Sequence, residues 1–171
     1  MTSAAHDAWP DWADDEDEDD WPYGLDGYEH DGQDDDLPST PGTPLTSAAD
    51  VLDFLLPLIG PERAGPMALW CALVDEADWT LPVVLPIADT PVRPDSALVA
   101  ALLRHLRDVL LDVFDAPDGG LVLAVVRRSG GDRGDVEMAW AAALERAAAQ
   151  LDLRVRAIAA VGRDRARVLR W

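Results

Sequence analysis

The chain has 171 residues, 49% of them hydrophobic, and 33 acidic residues against 14 basic ones give a net charge of −19. That length bounds the fold to one modest domain, and no window approaches the roughly 18 uninterrupted apolar residues that a membrane-spanning helix needs. The lone cysteine, Cys71, excludes an intrachain disulfide and lies in an apolar run, so it reads as a buried thiol in a reducing cytoplasm.

Charge is divided unevenly along the chain. Residues 1–62 carry 18 of the 33 carboxylates and no Lys or Arg, so of the total of −19 the remainder holds 14 basic and 15 acidic residues, or −1. All 14 basic residues are Arg, which is read as a coding bias without functional weight. The N-terminus is acidic where a secretory signal would be basic and then apolar.

Residues 1–36 lack helical and strand periodicity, and Asp14, Asp15, Glu16, Asp17, Glu18, Asp19 and Asp20 form an unbroken acidic run whose self-repulsion opposes compaction. The expectation is a disordered arm. Residues 37–46 (LPSTPGTPLT) read as a Pro/Ser/Thr spacer. A single folded domain is expected over 47–171, opening with a short apolar helix capped by Ser47 and Asp50 and ended by Gly60-Pro61. Residues 67–74 (MALWCALV) and 81–87 (LPVVLPI) are apolar runs around a polar turn, hence a hairpin. Pro82 and Pro86 assign its second strand to an edge. A helix is predicted over 95–115, from the stripe Leu98, Val99, Leu102, Leu103, Leu106, Val109, Leu110, Val113 and Phe114. Residues 121–126 (LVLAVV) have the continuous apolar character of a strand buried on both faces. After the loop SGGDRG a second helix is predicted over 135–150, with Asp135 and Glu137 in its first turn, where the macrodipole favours anions. Strands over 153–161 and 166–171 close the chain. The expected class is α/β (mixed α+β): a three-layer fold with a mixed sheet, built from a hairpin and then β-α-β units, with the 121–126 strand central.

This order, with the stretch LVLAVVRRSGGDRGDVEMAWAAALERAAAQLDLRVRAIAAVG, resembles the JAB (MPN) domain, in particular its bacterial RadC-like branch, over about residues 66–171. In that family a buried strand ends in a His-x-His-Pro-Ser-Gly-Asp segment, and a helix and strand pair follow. Ser129-Gly130 falls where the family's Ser-Gly would, Gly134 near its Ser, and Glu137 near its metal-binding acid. The resemblance implies a zinc hydrolase scaffold, but such a site needs two imidazoles at i and i+2 with a carboxylate. Here the strand end reads Ala124, Val125, Val126, Arg127, Arg128. The implied body is a JAB-like frame without its metal centre, with no cofactor, no metal and no catalytic residue assigned.

His105 is the one imidazole after the arm, and it reads as an exposed side chain near Asp108 and Asp112 on the polar stripe of its helix. The 129–134 loop joins a strand to a helix N-terminus, yet it lacks a P-loop's Gly-Lys-Ser/Thr and carries Asp132 and Asp135, so it reads as a glycine turn. Arg154, Arg156, Arg165 and Arg167 alternate with apolar neighbours and are expected to give the last two strands a basic face.

The arm is less ordinary. Polar disordered segments are generally poor in aromatics, yet Trp9, Trp12, Trp21, Tyr23 and Tyr28 are threaded among its acids. Acids supply long-range attraction to a basic surface, and rings supply burial and cation–π contact. Such a segment is either a specific binding element or a solubilising tail. The expected function is a non-catalytic interaction protein whose arm binds a basic protein surface, on a partner or on its own Arg-rich face, or competes for a nucleic-acid-binding surface. Charge −19 opposes nucleic acid as a partner of the whole chain. The alternatives are a degenerate JAB-type hydrolase or another enzyme using the 129–135 loop, and a nucleic-acid binder working through the C-terminal Arg face and autoinhibited by the arm. The sequence leaves the oligomeric state open.

Overall fold

The structure, a computed structural model, describes residues 42–171. The acidic arm and the first half of the proposed spacer, residues 37–41, lie outside that range. In chain order the elements are α1 (Ala48–Ile59), a 3₁₀ turn (Gly60–Ala64), β1 (Ala68–Val74), β2 (Thr80–Ile87), α2 (Ser96–Asp112), β3 (Gly120–Val126), α3 (Asp135–Gln150), β4 (Arg154–Val161) and β5 (Ala166–Arg170). Five strands form one mixed sheet in the order β2, β1, β3, β4, β5. β3 and β4 are parallel, joined through α3, and the other neighbours are antiparallel. The expected mixed α+β class is what the chain forms. No helix among the described residues is long and apolar enough to cross a membrane.

Strand alternation builds two cores on the two faces of the sheet. Leu69, Cys71, Leu73, Leu121, Leu123, Val125, Ile158 and Ala160 pack with α2 and α3. Their neighbours Ala68, Trp70, Ala72, Val74, Val122, Ala124, Val126, Ala159 and Val161 pack with α1. The three layers are therefore α1, the sheet, and the α2/α3 pair. β3 is buried along its whole length because it lies centrally and is covered on both sides, which is why its sequence shows no polar alternation. β2 holds the edge, where Pro82 and Pro86 remove donors that no further strand needs.

Ordered structure starts earlier than the expected boundary at Ser47. Gly42 N–H donates to the Thr80 carbonyl at 2.8 Å, Thr80 N–H to the Thr43 carbonyl at 3.0 Å, and Leu45 N–H to the Asp78 carbonyl at 2.9 Å. Leu45 is fully buried in the α1-side core. Residues 42–46 are thus docked on the hairpin, a correction to the spacer reading: one buried leucine and paired backbone groups outweigh the local Pro/Thr composition.

The expected basic face is also corrected. In β4 the register skips Arg156, since Leu121 pairs with Val155 and Val122 with Ala157. That bulge lets Val155 face the α2/α3 core while Ala157 faces the α1 core. Arg154 and Arg156 converge on Asp78 of the β1–β2 turn, each at 2.8 Å. Arg156 also stacks over Trp171, 3.5 Å from its ring centroid, and donates to the Leu45 carbonyl at 3.2 Å. Arg165 lies at the opposite end of the sheet, and Arg167 pairs with Ala160, whose side chain belongs to the α2/α3 face. The four guanidinium groups do not form one surface.

Candidate functional site

Where β3 and the parallel β4 run out, two loops meet backbone to backbone. Arg127 N–H continues the ladder to the Val161 carbonyl at 3.0 Å, and Arg163 N–H donates to the Arg128 carbonyl at 3.2 Å. Glycine is required at this crossing. Gly131 has φ +92°, and a Cβ there would strike the Arg165 carbonyl, while one on Gly162 would strike that of Gly130. Two arginines staple the loops: Arg165 Nε donates to the Gly130 carbonyl at 3.1 Å, and Arg63 Nε to the Gly162 carbonyl at 3.0 Å. Arg165 also pairs with Asp132 at 2.9 Å.

Under this crossing lies Glu137, a fully buried carboxylate in the first turn of α3. Its Oε1 accepts from Arg127 Nε at 3.1 Å and from Nη2 at 2.8 Å, a two-pronged charge-assisted contact. Arg127 Nη1 donates to Ser129 Oγ at 2.8 Å, so one guanidinium ties the strand end, the loop and the helix together. A Cβ on Gly130 would stand 2.5 Å from Oε1, and one on Gly134 2.5 Å from Oε2. The glycines let the loop close over the carboxylate. Oε2 has no hydrogen-bond partner among the described residues.

Outside the clasp is a surface recess of about 410 Å³ lined by Arg128, Ser129, Gly130, Asp164 and Arg165. Its charges are mixed, so an anion would meet Asp164 along with the two guanidinium groups. Ser129 Oγ is occupied as the acceptor of Arg127, and no imidazole lines the recess to activate it as a nucleophile. No group of three His, Cys, Asp or Glu side chains among the described residues is placed to hold a metal ion. Cys71 is a poor nucleophile, because burial pushes its thiol pKa up to about 12.

The residues singled out from sequence are widely dispersed. Trp9, Trp12, the seven acids at 14–20, Trp21, Tyr23 and Tyr28 lie outside the described residues. Arg154 and Arg156 are consumed by Asp78, Arg165 by Asp132, and Arg167 is exposed with no ion pair among the described residues. His105 is exposed as expected, but it borders an apolar cavity with Leu98, Leu102 and Trp140. Sequence reasoning missed the depth of Glu137. An Arg just past a buried strand, Arg127, followed by Gly130 and Gly134, was the available signal. A scan against protein-family models finds no match to this chain, and a search of curated proteins finds no similar sequence.

Proposed function

We propose that this chain is a non-catalytic interaction protein in which residues 1–36 bind a basic surface on another protein. The observation that carries this reading is the division of charge, −18 before Arg63 and −1 from there on. Support also comes from the fate of the body's cations. Of the ten arginines in 121–171, six (Arg127, Arg154, Arg156, Arg163, Arg165 and Arg170) are already ion-paired within the body. An intramolecular target for the arm is correspondingly reduced, and so is a cationic surface for nucleic acid. An external partner is favoured over shielding of the chain's own face.

The proposal takes the body to be a JAB-like frame without a metal centre. Its support is the element order and the apolar and cationic side chains of Val125, Val126, Arg127 and Arg128 where imidazoles would be needed. Pull-downs with the full chain and with a chain lacking residues 1–36 test the main claim. Full-length protein is expected to capture a partner that is released by salt and lost with the arm; an unchanged set of partners after deletion rules the proposal out. Zinc bound near one equivalent per chain would overturn the metal-free reading of the body.

A further inference from the structure

The recess outside the crossing of the two loops, about 410 Å³, has room for a molecule of amino-acid size. It lies between two closed turns. Gly130 N–H donates to the Arg127 carbonyl at 2.7 Å in one, and Gly162 N–H to the Arg165 carbonyl at 2.8 Å in the other. Arg163 N–H, on the Arg128 carbonyl, ties the turns together, and Gly131 and Gly162 admit no side chain between them. The frame that carries the lining groups is therefore held by backbone contacts.

Those groups keep unspent binding capacity of both signs. Ser129 Oγ accepts from Arg127 Nη1, so its own O–H is left to donate. Arg165 commits Nε to the Gly130 carbonyl and Nη2 to Asp132, which leaves Nη1. Arg128 is exposed and has no ion pair among the described residues. Asp164 is 88% exposed, and its one ion pair, with Arg163, is long at 3.7 Å. Arg128 and Asp164 thus border one recess without pairing with each other. A lone anion there satisfies the donors and meets Asp164; a lone cation meets the guanidinium groups. A molecule carrying both signs satisfies all of them.

We infer that this recess is a binding site for a small zwitterion of the amino-acid class, its carboxylate on Arg128 and the Ser129 hydroxyl and its ammonium on Asp164. The inference is independent of the acidic arm. Glycine and 4-aminobutyrate are the probes, holding the two charges at short and long spacing; acetate and methylammonium carry one charge each. Titration of the full chain is followed at the backbone amides of Ser129 and Gly130 by NMR. At least one zwitterion is expected to shift them saturably, with each single-charge probe weaker by roughly 2- to 5-fold or more, the range of one exposed ion pair. Arg128→Gln and Asp164→Asn should each weaken the zwitterion by a similar factor. Both side chains are exposed and lie outside the Arg127–Glu137 clasp, and the same spectra show that the variants fold. Asp118→Asn, before the opposite end of β3, removes the same charge away from the recess and should leave the titration unchanged. No saturable shift with either zwitterion, acetate or methylammonium binding as tightly, wild-type titration in Arg128→Gln or Asp164→Asn, or equal weakening by Asp118→Asn would each overturn the assignment.

Discussion

At the scale of the residue, Glu137 and Arg127 are the pair on which the loop between β3 and α3 is organised. Glu137 has no exposed side-chain surface, whereas Arg127 keeps 28% of its own. The two partners are therefore unequal. Removing the acid leaves a guanidinium that can turn toward water; removing the base leaves a carboxylate sealed under Gly130 and Gly134. Arg127→Ala should accordingly cost more than Glu137→Ala, about 3–5 kcal/mol against roughly 2–3. The double variant should cost less than the sum, because the second deletion removes the charge that the first stranded. Urea unfolding of the four proteins measures all three quantities. Additive costs, or an order with Glu137→Ala the more damaging, would dispose of the clasp.

At the scale of the element, α1 shows how a local sequence signal becomes a titratable one. Ser47 Oγ accepts from Asp50 N–H at 3.2 Å, and Asp50 Oδ2 accepts from Ser47 N–H, Thr46 N–H and Thr46 Oγ at 2.8, 2.8 and 2.7 Å. Hydrogen bonds from Thr46, foremost that of its hydroxyl, hold the Asp50 carboxyl below its ordinary 3.8. A depressed carboxylate binds its proton less readily in the folded chain than in the unfolded one. Its contribution is therefore complete above the unfolded value near 3.8 and is lost as pH falls through the lower folded one. Wild type should be more stable than Asp50→Asn at pH 7, and the gap should shrink below about pH 4. Thermal unfolding across that range reads it directly, and a gap constant down to pH 2 would refute it. The cap was legible because its residues are three apart, as were α2 and β3, whose apolar spacings extend over a whole element. What the sequence hid depends on distant partners. Leu45 is buried by a helix and strands that follow it, and Arg154 and Arg156 share one partner, Asp78, 76 residues before Arg154. The bulge at Arg156 is likewise set by the register with β3, which no single strand discloses.

At the scale of the whole molecule, charge is segregated by position in the chain. Residues 1–36 hold 15 carboxylates and no Lys or Arg, so removing them changes the net charge from −19 to −4. Attraction between such a segment and a basic partner acts over distances set by ionic strength, about 10 Å at 0.1 M and 3 Å at 1 M. Under the proposed binding, the rings at Trp9, Trp12 and Trp21 would act only on contact, through burial and cation–π attraction, which salt screens far less. The two contributions are therefore separable. Poly-L-arginine serves as a basic probe of defined chemistry. Its affinity for the full chain should fall at least tenfold, on the order of 1.4 kcal/mol, between low salt and a few tenths molar, since several charges are screened together. A chain of residues 37–171 should bind weakly at every salt concentration. Replacing Trp9, Trp12 and Trp21 by Ala should lower affinity by a similar factor at each concentration and leave the salt slope intact, because the charge is unchanged. A slope that collapses with the tryptophans, or equal binding by the two chain lengths, would show that the arm does not combine acids and rings as a single ligand.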